Sequence, residues 1–159
     1  MTCFIAHYDS PLGGMTMSSD GQALTALCFE GTRSASYFAN GTSATAMLPI
    51  FDETRRWLDL YFAGKKPDFT PLLSPQGTPF QQRVWDILLT IPYGKTMSYG
   101  EVTRRISPTM SAQAIGGAVG RNPIGIIIPC HRVIGADGSL TGYGGGMERK
   151  RWLLELEGK

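Results

Sequence analysis

Three consecutive segments decide how the chain is read: Ser98-Tyr99-Gly100-Glu101-Val102-Thr103-Arg104-Arg105-Ile106, then Ser107-Pro108-Thr109-Met110, then Ser111-Ala112-Gln113-Ala114-Ile115-Gly116-Gly117-Ala118-Val119-Gly120. Ser98 with Glu101 makes a capping-box pattern that opens a short helix to Ile106. Pro108 breaks that helix, and Ser111 starts another that runs to about Gly120. Helix, four-residue break, helix is the spacing of a helix-turn-helix. The second helix carries mostly small residues, and Gln113 is its only long polar side chain. A helix that reads the major groove needs long polar side chains to reach base edges. A small stripe instead lets a backbone approach closely, or packs tightly on another helix. Glycine inside a helix costs roughly 1 kcal/mol against alanine, so Gly116 and Gly117 want a reason, and both readings supply one.

Downstream, Arg121-Asn122-Pro123 leads into Ile124-Gly125-Ile126-Ile127-Ile128, an apolar run read as a buried strand or extended core segment. It delivers Pro129-Cys130-His131-Arg132-Val133. A thiol is a weak nucleophile until something takes its proton, and an imidazole is the usual partner. Neighbouring side chains on an extended chain point to opposite faces, so a water bridging Cys130 and His131, with a carboxylate behind the histidine, solves the geometry.

Upstream, Thr78 with Gln81 repeats the capping box, Pro79 takes the first helical position, and Pro92 ends that helix. Residues 2–30 alternate and turn like a β-meander, with strands at Cys3–Tyr8, Met15–Ser18 and Ala23–Glu30. Residues 31–46 are small and polar and read as a loop. Pro49 opens a helix through Phe62, with Gly64 as its C-cap. Pro67, Pro71 and Pro75 punctuate a linker. The organisation is therefore an N-terminal α/β domain with linker, residues 1–77, and a helical domain, residues 78–159.

The net charge of +2 excludes nothing, but its distribution is informative. Residues 1–78 hold five Lys/Arg against seven Asp/Glu, while residues 79–159 hold ten against six. The half with the Cys-His motif is the basic half, as expected of a surface that meets phosphates. No apolar stretch reaches the roughly 18 residues of a membrane span, and no signal peptide is visible at the N-terminus. The cysteine count of three is odd and lacks disulfide spacing, which points to a reducing cytoplasm.

The Pro129–Val133 pentapeptide resembles the active-site signature of the O6-alkylguanine-DNA alkyltransferases. The resemblance extends over Ser98-Tyr99-Gly100, Ile115-Gly116-Gly117-Ala118, Arg121-Asn122-Pro123, Gly142-Tyr143-Gly144-Gly145-Gly146, and Trp152-Leu153-Leu154 with Glu157-Gly158. In the first half, Asp9-Ser10-Pro11-Leu12-Gly13 and Tyr61-Phe62-Ala63-Gly64 carry it. It implies an α+β fold: a small antiparallel sheet with a helix, ribonuclease H-like, then a helical domain with a winged-helix-like helix-turn-helix. It implies a monomeric suicide repair protein that binds double-stranded DNA containing alkylated guanine through the minor groove, flips the base, and takes the alkyl group onto Cys130.

By the same resemblance, His131 takes the thiol proton through a water, Glu157 holds the histidine, and Asn122 links the helix-turn-helix to the active-site loop. Tyr99 crowds the flipped nucleotide's phosphate and hydrogen-bonds the guanine. Tyr143 and Gly144 wall the base slot, and the carbonyls of Cys130 and Val133 accept from the guanine amino group. Ala114, Gly116 and Gly117 enter the groove. Gln113 stands where the family carries an arginine that fills the vacated base position, with Arg121 as the neighbouring basic residue that could share the task. Arg132 is either an ion-pair former or a DNA contact. No cofactor is implied. Cys3, His7 and Cys28 are read as buried strand residues and not as metal ligands. Two other classes use similar residues: a module that grips alkylated DNA without transfer, which in the family replaces the cysteine, and a Cys-His hydrolase, for which no oxyanion hole or third orienting residue is evident beyond Asn122.

Overall fold

Ser10 folds the first hairpin: its Oγ accepts from Leu12 N at 3.1 Å and donates to Gly13 O at 2.6 Å. Strand β1 (Thr2–Ser10) thereby returns antiparallel as β2 (Gly13–Ser19). At the next turn Asp20 accepts from the backbone N–H groups of Gln22 and Ala23 at 2.9 and 3.0 Å, a local mimic of a backbone turn. Strand β3 (Leu24–Phe29) follows, completing the expected meander. The computed structural model describes residues 2–31, 42–45, 47–106, 111–135, 137–138, 143 and 146–158. They fall into two compact units, Met1–Gln76 and Gly77–Lys159.

In the first unit three expectations need correction. The segment read as a loop over 31–46 contains a strand, β4 (Thr42–Thr45), which pairs parallel with Thr2–Ile5 of β1. The sheet is therefore mixed, in the order β3-β2-β1-β4. Thr42-Ser43-Ala44-Thr45 has no apolar alternation to betray it; its backbone groups, not its side chains, supply the pairing. The proline-punctuated linker is also less free than its composition suggests. Leu24 N donates to Leu72 O, and Ser74 N to Leu24 O, both at 2.8 Å, so the segment docks on the outer edge of β3. Helix α1 (Pro49–Phe62) matches its predicted span and turns Phe51, Leu58 and Tyr61 inward, while β2 and β3 bury Met15, Met17, Leu24 and Leu27. His7, expected to be buried, lies exposed and hydrogen-bonded to Glu30 at 3.1 Å. Cys28 is buried and Cys3 half-buried, and no group of three or more His, Cys, Asp or Glu among the described residues is placed to hold a metal ion.

The second unit is built on α2 (Pro79–Leu88), α3 (Tyr99–Ile106) and α4 (Ala112–Gly120). Thr78 and Gln81 close both halves of the α2 capping box. At α3 only half of the expected box forms: Ser98 Oγ accepts from Glu101 N at 3.1 Å, but the Glu101 carboxylate turns to Arg104 and Arg105. Ser111 caps α4 by accepting from Ala114 N, and the four-residue break before it lies outside the described residues. Val84, Trp85 and Leu88 of α2, Val102 and Ile106 of α3, and Ile115, Ala118 and Val119 of α4 form the core. Two short strands, β5 (Met97–Ser98) and β6 (Val133–Ile134), pair in parallel. Helix α5 (Met147–Leu156) contributes Leu153 and Leu154.

Trp85 joins α2 to α4 through its indole, which donates to Ala118 O at 2.9 Å in a buried setting. Trp85→Phe keeps an aromatic body but loses this hydrogen bond and some volume. A destabilisation of about 1–2 kcal/mol is expected, read as a lower denaturant midpoint at unchanged slope.

Candidate active site

The apolar run Ile124–Ile128 does not form the strand its composition suggests. Ile127 N donates back to Gly125 O at 2.8 Å across Ile126, whose φ is 68°. A bonded three-residue turn with positive φ at its centre is the strained hand of the γ-turn, and holding a β-branched residue there costs about 1–3 kcal/mol. Pro129 makes a second, relaxed turn of this kind, with φ −83° and ψ 64°, in which Cys130 N donates to Ile128 O at 2.8 Å. Burial of Ile124, Ile126 and Ile128 offsets the strain. The result is a dry folded loop.

Asn122 clamps that loop at both ends. Its Oδ1 accepts from Ile124 N at 3.0 Å and its Nδ2 donates to Ile128 O at 2.8 Å. The side chain thus ties the end of α4 to the residues leading into Cys130, and it is itself buried.

Cys130, His131 and Arg132 form one 3-10 turn, closed by Val133 N donating to Cys130 O. Successive side chains on such a turn diverge by about 120°. Cys130 and His131 therefore point apart, as expected, but through a helical turn and not an extended chain. His131 is fully buried and its Nε2 lies 2.7 Å from Glu157 Oε2. An ionised carboxylate only accepts, so Nε2 carries the proton and Nδ1, also buried, carries the lone pair. Tyr143 stands edge-on to the imidazole, with ring centroids 6.5 Å apart.

Arg132, left open between two roles by the sequence, is an ion-pair former. Its Nε and Nη2 donate to the two Glu157 oxygens at 2.8 and 3.1 Å, and its Nη1 donates to Ile91 O at 2.8 Å. Gly94 N adds a bond to Glu157 Oε1 at 3.2 Å. The site residue that sequence reasoning passed over is Lys150, buried in α5, whose Nζ donates to Val133 O at 2.6 Å. Its signal was a lysine in the α5 register that also buries Leu153 and Leu154. Tyr99 is half-buried, and the β5–β6 pairing holds the start of α3 beside the end of the Cys130 turn.

Burial sets the resting charge state. It pushes the Cys130 thiol up, against lowering contributions from the Asn122 amide, the Lys150 ammonium and nearby backbone N–H groups. It also holds His131 below the ordinary histidine range, opposed by Glu157. Tyr143 is pushed well above the usual phenol value by burial and by the negative charge that Cys130 carries as a thiolate, against a lowering contribution from Arg149. The resting site is thus a neutral thiol beside a neutral imidazole, with a permanent ion pair behind them.

On α4, Gln113 and Arg121 are exposed and Ala114, Gly116 and Gly117 are half-buried. A Cβ added at Gly116 would meet nothing within 4 Å, and one at Gly117 would meet only Arg121 Nη1, at 3.4 Å. Among the described residues, then, the glycines are not a helix-packing notch, and the Arg121 guanidinium folds back over Gly117. The carbonyl of Cys130 accepts from Val133 N and that of Val133 from Lys150 Nζ. Gly144 lies outside the described residues.

The buried ion pair makes a direct prediction. Arg132→Leu removes the Glu157 carboxylate's bidentate partner without opening a path for water. Breaking one side of a buried pair costs about 3–5 kcal/mol, so the variant should unfold at much lower denaturant. Arg132→Lys should recover only part, because an ammonium cannot grip both oxygens and the Ile91 carbonyl together.

Comparison with known proteins places the chain. Residues 79–159 match the family model described as 6-O-methylguanine DNA methyltransferase, DNA binding domain, and residues 4–75 match the ribonuclease-like domain of the same family. The methylated-DNA–protein-cysteine methyltransferase of Mycobacterium bovis is 51% identical, over 95% of this chain and 92% of its own. The protein of that name from Haemophilus influenzae is 44% identical, over 97% and 86%. A crystal structure of Mycobacterium tuberculosis OGT in complex with DNA superposes with a TM-score of 0.84 at 46% identity, covering 99% of this chain and 92% of that one. With both domains matched by its family models, the chain belongs to the 6-O-methylguanine DNA methyltransferase family.

Proposed function

We propose that this protein repairs DNA by moving an alkyl group from O6 of guanine to the sulfur of Cys130, once per molecule. The observation that carries the reading is a cysteine fixed on a buried turn beside a neutral histidine, whose far nitrogen is hydrogen-bonded to a permanently paired carboxylate. Cys130 Sγ attacks the saturated alkyl carbon, the S–C bond forms and the C–O6 bond breaks, with its electron pair leaving on guanine. The thiol proton passes through a water to His131 Nδ1, and Glu157 stabilises the imidazolium that forms. Tyr99, held beside the turn by the β5–β6 pairing, donates a hydrogen bond to the departing guanine. Asn122 keeps the loop in place while the charges move. The thioether does not hydrolyse, so the reaction ends there.

The target base must leave the stack to reach a buried sulfur. Tyr143 walls the slot with Gly144, and the Cys130 and Val133 carbonyls accept from the guanine amino group. Residues 78–159 supply both DNA contact and chemistry, and 1–77 form the companion domain. Helix α4 enters the minor groove through Ala114, Gly116 and Gly117; the open space over Gly116, with only a flexible Arg121 side chain over Gly117, supports this. Gln113 fills the vacated base position with a neutral amide, and Arg121, folded along the same face, supplies the positive charge that Gln113 lacks. Its contacts run mainly to phosphates and minor-groove backbone, so binding is sequence-tolerant and salt-sensitive. The protein acts as a monomer in a reducing cytoplasm, where its thiol persists.

Intact-protein mass spectrometry after incubation with a duplex containing O6-methylguanine tests the reading. The expected product carries one methyl per molecule, on Cys130, with no further substrate consumed by spent protein. Many substrates repaired per molecule, or modification at Cys3 or Cys28, contradicts it.

A further inference from the structure

Among the described residues of the second unit, Lys150 is the buried charged side chain that the steps above leave without a task. Helix α5 aims it into the back of the active-site turn, where its Nζ donates to Val133 O at 2.6 Å. Val133 in turn closes that turn by donating to Cys130 O. An ammonium is thereby fixed against the residue that closes the Cys130 turn, in a buried setting where water screens it little. Burying a lysine as an ion carries a large desolvation penalty, which a hydrophobic residue at the same α5 position would not. Anchoring the Val133 carbonyl alone does not call for a charge.

The groups around Cys130 narrow the choice. The Asn122 amide faces it from the end of α4, Tyr143 from the segment before α5, and Lys150 from α5; His131 shares its turn, with Glu157 and Arg132 behind and Arg149 acting on Tyr143. Glu157 is neutralised by Arg132 through two hydrogen bonds, which weakens its pull on a proton at His131. Lys150 is the positive charge in this set that acts on the sulfur itself, and the influence is mutual: the lysine favours the thiolate, and the thiolate favours the ammonium.

We propose that Lys150 is the counter-charge of the Cys130 thiolate, a positioning residue that keeps its protons throughout while the thiol proton goes to His131. The inference rests on Cys130 being the alkyl acceptor. Its consequence for rate has a distinctive form. Removing the ammonium should raise the thiol titration by about one unit, leaving tenfold less thiolate near neutrality. Each remaining thiolate is about threefold more nucleophilic, because nucleophilicity rises with basicity. The net loss near neutral pH is then only about threefold, and it reverses once the thiol is fully ionised.

The test uses the full-length protein with Cys3→Ser and Cys28→Ser, so that Cys130 is the sole thiol, carrying a 13C label at cysteine Cβ. In Lys150→Met the Cys130 titration should move up by about one unit, and single-turnover reaction with free O6-benzylguanine should show pH–rate curves that cross, slower near neutrality and faster at high pH. A titration that stays in place, or a rate depressed equally at every pH, overturns the proposal and leaves Lys150 a structural anchor. Should Lys150→Met fail to fold, Cys130→Ser measures the same coupling from the other side: the Lys150 titration must fall by a similar amount, and an unmoved lysine is equally fatal. The titrations need no DNA. A wild-type protein that transfers no alkyl group yet shows the coupling would refute the repair reading and not the pairing.

Discussion

A single carboxylate, Glu157, fixes the active site. It lies just past the C-terminal end of α5, where the helix dipole disfavours a negative charge, and it is buried, where desolvation disfavours it again. Both costs are met by Arg132 gripping its two oxygens, with Gly94 N and His131 Nε2 completing its shell. Three distant parts of the chain are tied to one group: the segment after α2, the Cys130–Arg132 turn and the C-terminus. The histidine's tautomer follows from that shell, and the tautomer decides which nitrogen can take a proton.

The loop before the cysteine shows how rigidity is obtained. Ile126 sits at a φ that a β-branched residue tolerates poorly, and its own full burial with that of Ile124 and Ile128 holds it there. Asn122 bonds both ends of the loop, so a change at α4 reaches Cys130 through one amide side chain. Strain next to a reactive group persists only where the surroundings over-determine it. Here a buried apolar loop and a buried amide do so together.

The sequence made α1 legible to the residue because Pro49 and an apolar stripe mark it, and it made α2 legible through a complete capping box. Cys130, His131, Asn122 and Glu157 were legible because the spacing of the whole motif, and not any one residue, carries the resemblance. What escaped was set by backbone or by distance in the chain. Strand β4 is polar and pairs through its main chain. The Ile124–Ile128 run has a strand's composition, but its path is dictated by γ-turns that no periodicity encodes. Arg132 could be a surface or a buried residue until its partner, 25 positions away, was located. Lys150 stands among the charges Glu148-Arg149-Lys150-Arg151, and only the fold turns it inward.

The account depends on His131 being neutral, with its proton on Nε2 toward Glu157. Nitrogen-15 NMR of the His7→Gln protein, which leaves a single histidine, reads that state directly. From pH 7 down through the ordinary histidine range near 6.5, the His131 Nε2 should keep the shift of a protonated nitrogen and Nδ1 that of an unprotonated one, with no titration until the solution is well below that range. An imidazolium at pH 7, or a proton on Nδ1 in place of Nε2, would contradict the account at its centre.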